Sequence, residues 1–565
     1  MSQVPLDEVI DQIKSPHLIT WKKDADTHYI FSLKRRRVIW EIQLRFQANF
    51  PFSLPSAYLL DSKMIGSVAH VNFKGHICVE ASDSLLWDYT RPVEVLECLL
   101  DKIVKLLDDS ILKVNRVELT DEYEGYFDCI ASPVNSFYEA TATLEYASLK
   151  VFQTNSQKKK ARPVLLNSKR KKYNDSYGNL KKDNSQVVNI IHMPLNTAVL
   201  PPKNNGKVSS SYVFDLIKKL SPNNKVRLDK LLRKEKAHTQ FFVLLSMPRS
   251  EGERTQLLLN FTTDKSMVHP LLKPSFDWSV ELFQLVRNNQ SYLLERGGAY
   301  GNLANKKVAV VGCGSVGGEI AVMLAKAGVG ELTLIDYDLF SVDNIYRHRL
   351  GGLSLNYLPD KNTGDVRQHS KVNALASMLE LDFPYIKTNP KRQEFCAAIQ
   401  DNDLCTSDLV IVAVGSPIVN LEINRQLKGI QVRNVIFCWN EAAGIGGHSV
   451  LLNLRESCLE CLYSSEEGYS NHCQLNLLEN GQKLSKNLTG CAGTFTPFSY
   501  LDSSQTAALV VKHAIDNLLL GTHSKALSWK GDNQSGLMVT DRYHKMSLKE
   551  EVELKRQNGC GLCCE

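Results

Sequence analysis

The sequence contains no uninterrupted apolar run of membrane-spanning length, and its 565 residues carry a net charge of only +6. The first absence excludes a spanning helix, which needs about 20 apolar residues in succession. The second gives no reason to expect general binding of nucleic acid. The opening residues, 1–14, are acidic and amphipathic, and are therefore unlike a secretory signal. We expect a cytoplasmic protein with no membrane partner.

The chain also lacks internal repeats, and its length is typical of about three or four domains. We predict domains over residues 1–150, 151–290 and 291–565. Hydrophobic residues make up 43% of the sequence, which is enough to build their cores. Lysine-rich runs between residues 158 and 182 have no interleaved aromatic residues. They are typical of a solvated loop and do not indicate a nucleic-acid site.

Hydrophobic periodicity predicts several elements in the first two domains. The predicted strands are Thr27–Leu33, Val38–Phe46, Ala57–Leu60, Val187–His192 and Gln240–Ser246. The predicted helices are Pro92–Leu107 and Ser136–Ala147. The second domain contains no residue pattern that indicates chemistry.

The third domain opens with a strand, a glycine turn, a helix and a second strand. The first strand is Val308–Val311, and the second, Leu332–Ile335, ends at Asp336. The turn carries the spacing Gly-x-Gly-x-x-Gly at Gly312, Gly314 and Gly317. This is the pattern of a βαβ nucleotide site, in which glycines let the backbone approach phosphates and a carboxylate accepts from ribose. Many dehydrogenases share this pattern, so the residues around it must decide the function.

Three further signals follow the βαβ unit. Asp338 gives Asp-x-Asp with Asp336, Asn344 and Arg347 give Asn-x-x-Arg, and Lys371 begins a predicted helix. In this order they resemble the adenylation domain of the ubiquitin-activating (E1) superfamily, which includes bacterial ThiF and MoeB proteins. The resemblance implies that a carboxylate attacks the α-phosphate of ATP. It also implies that Arg347 and Lys371 are the catalytic cations and that Asn344 binds phosphate.

Two positions depart from the family. The family has a Mg²⁺-binding aspartate after the strand that matches Leu409–Val414, and this chain has Gly-Ser at residues 415–416. Asp338 and Asp343 are therefore alternative magnesium ligands. The family also often supplies an arginine across the interface of a homodimer. Arg296 is a candidate for it here, and an ordinary surface arginine is the favoured alternative.

Two Cys-x-x-Cys pairs lie far apart in the third domain: Cys458 with Cys461, and Cys560 with Cys563. In a cytosolic chain such pairs indicate metal ligands before disulfides. Because each pair can direct two thiolates at one tetrahedral ion, we predict a structural Zn²⁺ site. ThiF and MoeB proteins resemble this arrangement. A redox dithiol is the alternative for either pair, and Cys564 is the alternative to Cys563.

A further cysteine, Cys491, lies beside Gly490 and before a predicted helix over Ser504–Leu519. E1 enzymes capture the adenylate with a cysteine as a thioester, and this resemblance makes Cys491 the candidate nucleophile. Cys473 is the alternative. MoeB-like enzymes need no such cysteine.

The first domain carries a separate series of landmarks. They are Phe50-Pro51-Phe52-Ser-Leu-Pro55, His70-Val71-Asn72, Gly75-His76-Ile77-Cys78, Trp87 and Arg91-Pro92. This series resembles a ubiquitin-conjugating (E2) domain, with His-Val-Asn in place of His-Pro-Asn. The resemblance implies that Cys78 is the catalytic cysteine, which accepts an acyl group by thioester exchange and passes it to an amine.

All three domains together resemble the E1–E2 fusion proteins of bacterial CBASS anti-phage systems. Trp439-Asn-Glu441 and Gly446-Gly-His448 add to this likeness. The implied fold class is α/β: a Rossmann-like E1/ThiF adenylation domain preceded by an α+β E2 (UBC-like) domain and an α/β linker domain. The implied cofactors are ATP, Mg²⁺ and Zn²⁺. The implied partners are a protein with a flexible C-terminus, a cGAS-like nucleotidyltransferase in that family, and a target amine.

Three other functions are weighed against this reading. A MoeB/ThiF-type adenylyltransferase for a sulfur-carrier or ubiquitin-like protein would use the first domain only for docking. A nucleotide-dependent scaffold would catalyse nothing. An NAD-dependent dehydrogenase would leave Asn344, Arg347 and the cysteine pairs without a role.

Overall fold

In the computed structural model, the described residues are 5–79, 87–152, 163–166, 185–202, 208–272, 278–355, 369–399, 402–430, 432–465, 468–488 and 494–564. The chain forms two units, Met1–Tyr292 and Leu293–Glu565. Among the described residues, no helix has the length and apolar character needed to cross a membrane.

The first unit begins with an antiparallel sheet whose five strands are neighbours in chain order. The strands are β1 (Leu18–Ala25), β2 (His28–Arg35), β3 (Val38–Arg45), β4 (Ser56–Leu59) and β5 (His76–Ile77). The helices around it are α1 (Leu6–Asp11), α2 (Pro92–Ile111), α3 (Arg116–Asp121) and α4 (Tyr123–Phe127). Helix α2 begins with a proline, which suits its first turn, and buries Leu96, Leu100 and Leu107 on one face against the sheet.

The remainder of the first unit is a closed barrel of seven strands, in the order β10-β11-β12-β6-β8-β7-β9. The strands are β6 (Ser132–Ser136), β7 (Glu145–Phe152), β8 (Pro163–Leu166), β9 (Ser185–Pro194), β10 (His238–Met247), β11 (Thr255–Met267) and β12 (Ser279–Arg287). Helices α5 (Ser210–Leu216) and α6 (Pro222–Leu232) lie in the connection from β9 to β10, which pair in parallel. The predicted helix Ser136–Ala147 is wrong, because β6 and β7 form in this region and pair with strands remote in sequence.

The sheet of the first unit and its barrel share one hydrophobic core. Tyr126 and Phe127 of α4 and Phe261 of the barrel belong to the same buried cluster. Arg287 of β12 forms an ion pair with Glu124 of α4, and the Arg287 side chain is only 7% exposed. These contacts fix the E2-like sheet and the barrel to each other as one body.

The second unit is built on an eight-stranded sheet in the order β15-β14-β13-β16-β17-β18-β23-β24. The strands of this unit are β13 (Lys307–Val311), β14 (Glu331–Ile335), β15 (Lys387–Lys391), β16 (Leu409–Val412), β17 (Asn434–Asn440), β18 (Gly446–Asn453), β19 (Ser464–Ser465), β20 (Gly468–Tyr469), β21 (Lys486–Asn487), β22 (Thr494–Phe495), β23 (Lys525–Lys530) and β24 (Lys549–Glu553). The helices that follow the barrel are α7 (Gln290–Arg296), α8 (Ser315–Ala327), α9 (Lys371–Asp382), α10 (Phe395–Ala398), α11 (Asn402–Cys405), α12 (Pro417–Gly429), α13 (Tyr500–Leu520), α14 (Asp541–Lys545) and α15 (Gly561–Cys564).

The first five strands of this sheet are parallel. The order in which the chain adds strands reverses at β13. Strand β14 lies on one side of β13 and β16 on the other. In doubly wound sheets, ligands bind at the carboxyl ends of the strands where the strand order reverses in this way. The glycine turn follows β13 and Asp336 follows β14, so both lie at this edge. The predicted fold class, with its Rossmann-like second unit, is confirmed.

Candidate functional site

The glycine turn after β13 has no room for a side chain at two of its positions, Gly312 and Gly317. Gly312 has a φ of +83°, and a Cβ on Gly317 would lie 1.8 Å from the Gly312 carbonyl oxygen. A Cβ on Gly314 would meet no atom within 4 Å, so this glycine faces open space. Helix α8 begins at the next residue, so its N-terminal amides lie beside that space. The turn is therefore shaped for an anionic group at a helix N-terminus.

Asp336 is built into the same turn. Its Oδ2 accepts a hydrogen bond from the Cys313 amide at 2.8 Å, and its Oδ1 accepts one from the Asp338 amide, also at 2.8 Å. Burial raises the pKa of Asp336. Each carboxylate oxygen can accept more than one hydrogen bond, so Asp336 keeps the capacity to accept from a ribose hydroxyl.

Lys371, at the start of α9, is a buried cation. It is 6% exposed, and its Nζ lies 2.6 Å from Oδ2 of Asp338. The Lys371 amide also donates to the Asp338 carbonyl. The ion pair and this backbone hydrogen bond together hold the ammonium at the carboxyl edge of the sheet. Lys371 is therefore not an ordinary surface lysine.

Asn344 and Arg347 lie on a short segment that crosses the same edge. A 3₁₀ turn, Val342–Asn344, is closed by a capping box in which Oδ1 of Asn344 accepts from the Ser341 amide at 3.1 Å. The Arg347 guanidinium lies over the ring of Phe498, 5.8 Å from its centroid. Asp408, the aspartate next to β16, lies at the other end of the sheet, where it accepts a hydrogen bond from the Lys307 amide. It is therefore not near the glycine turn and does not replace the Mg²⁺-binding aspartate of the family.

His348 is a site residue that the sequence reasoning missed. It is buried, its Nε2 donates to the Cys313 carbonyl at 2.7 Å, and its Nδ1 accepts from the Leu350 amide. Burial lowers the pKa of His348 to about 4, so the ring is neutral at pH 7. It ties the segment that carries Arg347 to the glycine turn. Its position directly after Arg347 was the only available signal.

The cysteine of the first unit, Cys78, is exposed directly after β5. Its amide donates to the His70 carbonyl at 2.8 Å. A groove of about 760 Å³ begins at Cys78 and is lined by Phe52, Leu54 and Trp87 among others. One face of α2 forms the other wall. The Trp87 indole donates to the Pro51 carbonyl at 3.0 Å, which fixes the ring at the groove.

An acidic cluster lies on another side of Cys78. Burial, followed by the carboxylates of Glu122 and Asp128, raises the pKa of the Cys78 thiol. His70 lies between Glu122 at 2.5 Å and Glu118 at 3.2 Å, and the hydrogen bond to Glu122 raises the pKa of His70. The charged groups that shift the pKa of this thiol are thus both carboxylates, and both raise it.

Asn72 matches the asparagine of the E2 motif, but its side-chain oxygen is engaged locally. Its Oδ1 accepts from the amides of Lys74 and His76 at 3.0 and 3.1 Å. Its Nδ2 lies 3.5 Å from Oδ1 of Asp128. In this arrangement the amide stabilises the turn that leads to Cys78.

The four cysteines of the two Cys-x-x-Cys pairs converge in the second unit, and all four are buried. Sγ–Sγ distances are 4.0 Å between Cys458 and Cys461, 3.6 Å between Cys458 and Cys560, and 3.8 Å between Cys461 and Cys563. Zn–S bonds of about 2.3 Å in a tetrahedron place sulfurs about 3.8 Å apart. The described cysteines therefore fit a tetrahedral zinc ion. Nζ of Lys428 lies 3.4 Å from Sγ of Cys563.

Of the two candidates for the E1 nucleophile, Cys473 lies within the described residues. Cys491 lies outside the described residues. Cys473 is buried in the core of the second unit, and burial raises the pKa of its thiol to about 11. A buried, protonated thiol is a weak nucleophile, so the geometry does not favour Cys473.

Comparison with known families finds two matches along the chain. Residues 288–512 match the ThiF family, and residues 13–133 match Prokaryotic E2 family B. The ATP-dependent ubiquitin transferase-like protein Cap2 of Vibrio cholerae is 28% identical over 273 residues, which are 47% of this chain and 42% of that protein. Cap2 of Pseudomonas aeruginosa is 27% identical over 300 residues, 51% of this chain and 48% of that protein. The matched part of the chain thus spans less than half the length of these relatives.

Two other similarities involve the adenylation half. The molybdopterin-synthase adenylyltransferase of Salmonella typhimurium is 26% identical over 292 residues, 50% of this chain and 96% of that protein. A crystal structure of E. coli MccB with ATP is 19% identical and covers 46% of this chain and 68% of that chain, with a TM-score of 0.31.

The chain therefore joins a ThiF-type adenylation domain and a prokaryotic E2-type domain in one polypeptide, which is the composition of an E1–E2 fusion enzyme. Within that class, the Cap2 relatives confirm the predicted resemblance to the E1–E2 fusion proteins of CBASS systems.

Proposed function

We propose that the chain uses ATP to activate the C-terminus of a protein and passes it through two cysteines to a target amine. The observation that carries this proposal is that one polypeptide holds two separate candidate sites, one in each unit. One is the glycine turn with buried Lys371 at the carboxyl edge of the second unit. The other is exposed Cys78 at the groove of the first unit.

In the first step, a carboxylate oxygen of the protein substrate attacks the α-phosphorus of ATP. The bond from the α-phosphorus to the bridging oxygen breaks, and pyrophosphate leaves. The amides of the glycine turn and of α8 hold phosphate oxygens, and Arg347 and Lys371 offset the negative charge that grows on them. Asn344 lies on the Arg347 segment as a phosphate ligand, and Asp336 accepts from the ribose.

In the next steps, a cysteine thiolate attacks the acyl carbon and AMP leaves, which gives a thioester. We assign this role to Cys491. The Cys78 sulfur then attacks the same carbon and releases the first cysteine. Finally an amine nitrogen attacks the Cys78 thioester, an isopeptide bond forms, and the Cys78 thiol is released after a proton leaves the nitrogen.

Two ions belong to the proposal. Mg²⁺ is the expected companion of ATP, and Asp338 and Asp343 stay the candidate ligands; the Asp338 side chain is 46% exposed and its Oδ2 is engaged by Lys371. Zn²⁺ would be held by the four clustered cysteines. It would supply a cross-link between the end of the chain and the sheet of the second unit and take no part in acyl transfer.

The partners follow from the family resemblance. In CBASS systems the activated C-terminus belongs to a cGAS-like nucleotidyltransferase, and we propose that class of protein as the substrate and anti-phage defence as the purpose. A homodimer through the adenylation domain and a cytoplasmic location belong to the same proposal.

The test is a conjugation assay with the full chain, ATP and a cGAS-like nucleotidyltransferase, analysed on gels with and without reductant. We expect reductant-labile adducts with the wild type. Cys78→Ala should retain only the adduct on the second unit, and Cys491→Ala should retain neither adduct. Cys405→Ala is the matched control, because Cys405 is an exposed cysteine outside both sites. Adducts that survive both site substitutions would contradict the assignments.

A second candidate function is a MoeB/ThiF-type adenylyltransferase for a sulfur-carrier or ubiquitin-like protein. The match over 96% of the Salmonella adenylyltransferase favours it for the second unit. It predicts ATP–pyrophosphate exchange with such a carrier and full turnover in the Cys78→Ala variant. Loss of conjugation in that variant would exclude it.

A further inference from the structure

A short segment, residues 497–500, contacts the nucleotide site although it lies about 150 residues further along the chain. It joins β22 to helix α13. Ser499 caps that helix in a reciprocal capping box with Asp502, in which the Ser499 amide donates to Asp502 at 2.7 Å. The Pro497 carbonyl accepts from the Ala443 amide at 2.6 Å. Hydrogen bonds to a backbone amide at one end and to a side-chain carboxylate at the other therefore fix the segment.

Two side chains of this segment contact two different parts of the nucleotide site. The Phe498 ring lies under the Arg347 guanidinium, with 5.8 Å between the guanidinium carbon and the ring centroid. The Tyr500 hydroxyl donates to Oε1 of Glu319 at 2.6 Å. Glu319 is 4% exposed and belongs to α8, the helix that begins at the glycine turn.

The chemistry of the Phe498 contact suits an arginine that must bind phosphate. A carboxylate partner would neutralise the guanidinium and compete with the nucleotide, as the Asp338 partner of Lys371 can. An aromatic face attracts the guanidinium and leaves its charge and its N–H donors for an anion. Within the part of the chain that the structure describes, no ion pair with a carboxylate is found for Arg347.

The Tyr500 contact fixes the other phosphate-binding element. A buried carboxylate without a donor is costly, so the Tyr500 hydroxyl holds Glu319, and with it the first turns of α8, against the start of α13. The glycine turn and α8 are continuous, and a shift of the helix would move the amides that face the open space at Gly314.

We propose that Phe498 and Tyr500 are positioning residues for the triphosphate of ATP: Phe498 acts through Arg347, and Tyr500 acts through Glu319 and α8. This inference rests on the proposed adenylation function and adds residues to it that are far from the βαβ unit in sequence. Neither side chain is assigned direct contact with the nucleotide.

The experiment measures the affinity of the full chain for ATP and for adenosine by titration calorimetry. Phe498→Leu keeps an apolar side chain but removes the aromatic face, so ATP should bind about two- to fivefold more weakly while adenosine binding stays unchanged. Phe498→Tyr should restore ATP binding, since it keeps the ring. Tyr500→Phe should weaken ATP binding in the same selective way, and Tyr469→Phe, an exposed tyrosine in the same unit, is the matched control.

The outcomes separate the two levels of the proposal. If the wild type binds neither ligand, the adenylation function itself is wrong. If the wild type binds ATP and Phe498→Leu binds it equally well, the positioning role is wrong. Equal loss of ATP and adenosine binding would also overturn it, because that result means general damage to the site. Thermal unfolding of each variant checks that the second unit is folded.

Discussion

Replacement of Cys560 by serine should remove the metal and loosen the second unit. Cys560 Sγ lies 3.6 Å from Cys458 Sγ, and two other Sγ–Sγ distances in the cluster are 3.8 and 4.0 Å. Loss of one thiolate leaves three ligands, and a structural zinc site is almost always four-coordinate. We expect about one zinc per chain in the wild type and a small fraction of that in the variant.

The size of the stability effect follows from the chain that the site closes. Cys461 and Cys560 are 99 residues apart (560 − 461). A cross-link that closes a loop of about 100 residues removes about 4 to 5 kcal/mol of unfolded-chain entropy, and a metal site acts in the same way. Loss of about 4 kcal/mol should lower the melting temperature of a unit of this size by about 10 °C.

Metal analysis by mass spectrometry and thermal unfolding measure the two effects on the same samples. Cys405→Ser is the matched control, because that exposed cysteine is outside the cluster and should change neither zinc content nor stability. A strong zinc chelator should reproduce the Cys560→Ser melting temperature in the wild type. Full zinc occupancy in Cys560→Ser would refute the ligand set.

Three further predictions concern other parts of the molecule. Gly317→Ala should reduce ATP affinity at least about tenfold in calorimetry, because the alanine Cβ would lie 1.8 Å from the Gly312 carbonyl oxygen. Gly429→Ala is the control and should bind ATP as tightly as the wild type, because a Cβ at residue 429 meets no atom within 4 Å. The alkylation of Cys78 by iodoacetamide, followed by peptide mass spectrometry, should have its midpoint above the usual pH of about 8.5, because burial and two carboxylates raise the pKa of the thiol. Asp128→Asn should lower that midpoint, since it removes one of the two negative charges, and an unchanged midpoint would exclude Asp128 as a cause. Burial lowers the pKa of His348 to about 4, so between about pH 6.5 and 4 this histidine binds a proton in the unfolded chain but not in the folded chain. The free energy of unfolding, measured with urea, should therefore fall as the pH is lowered from about 6.5 to 4. His348→Gln should reduce that fall.

Local sequence pattern was sufficient for the elements of the nucleotide site. The predicted strand Val308–Val311 is β13, which begins one residue earlier, and Leu332–Ile335 corresponds to β14. The glycine spacing and Asp336 could be predicted because their geometry is set by residues close to them in sequence. The cysteine pairs could be predicted in the same way, since two cysteines three residues apart are a common spacing for metal ligands.

The barrel could not be predicted from such patterns. Its strands β6 and β12 pair in parallel although Ser132 and Phe283 are about 150 residues apart, and β9 closes it against β10. The sequence at Ser136–Ala147 has a helical appearance, but pairing with remote strands outweighs local propensity. Sequence spacing carries no information about such partners.

The contacts that prepare the site residues were also out of reach. The burial of Lys371 beside Asp338, the hydrogen bond of His348 to the glycine turn and the position of Phe498 under Arg347 all depend on tertiary packing. Motifs name the groups that carry charge, whereas the fold decides which neighbours hold them.

The common core of the first unit has a practical consequence for anyone who wishes to isolate the conjugating half. A fragment cut near residue 150 would strip the barrel from α4 and leave Glu124, Tyr126 and Phe127 facing water on a surface that is normally packed. Such a fragment should aggregate or misfold, and its inactivity would say nothing about Cys78. Cutting at the junction near residue 292 keeps that surface covered.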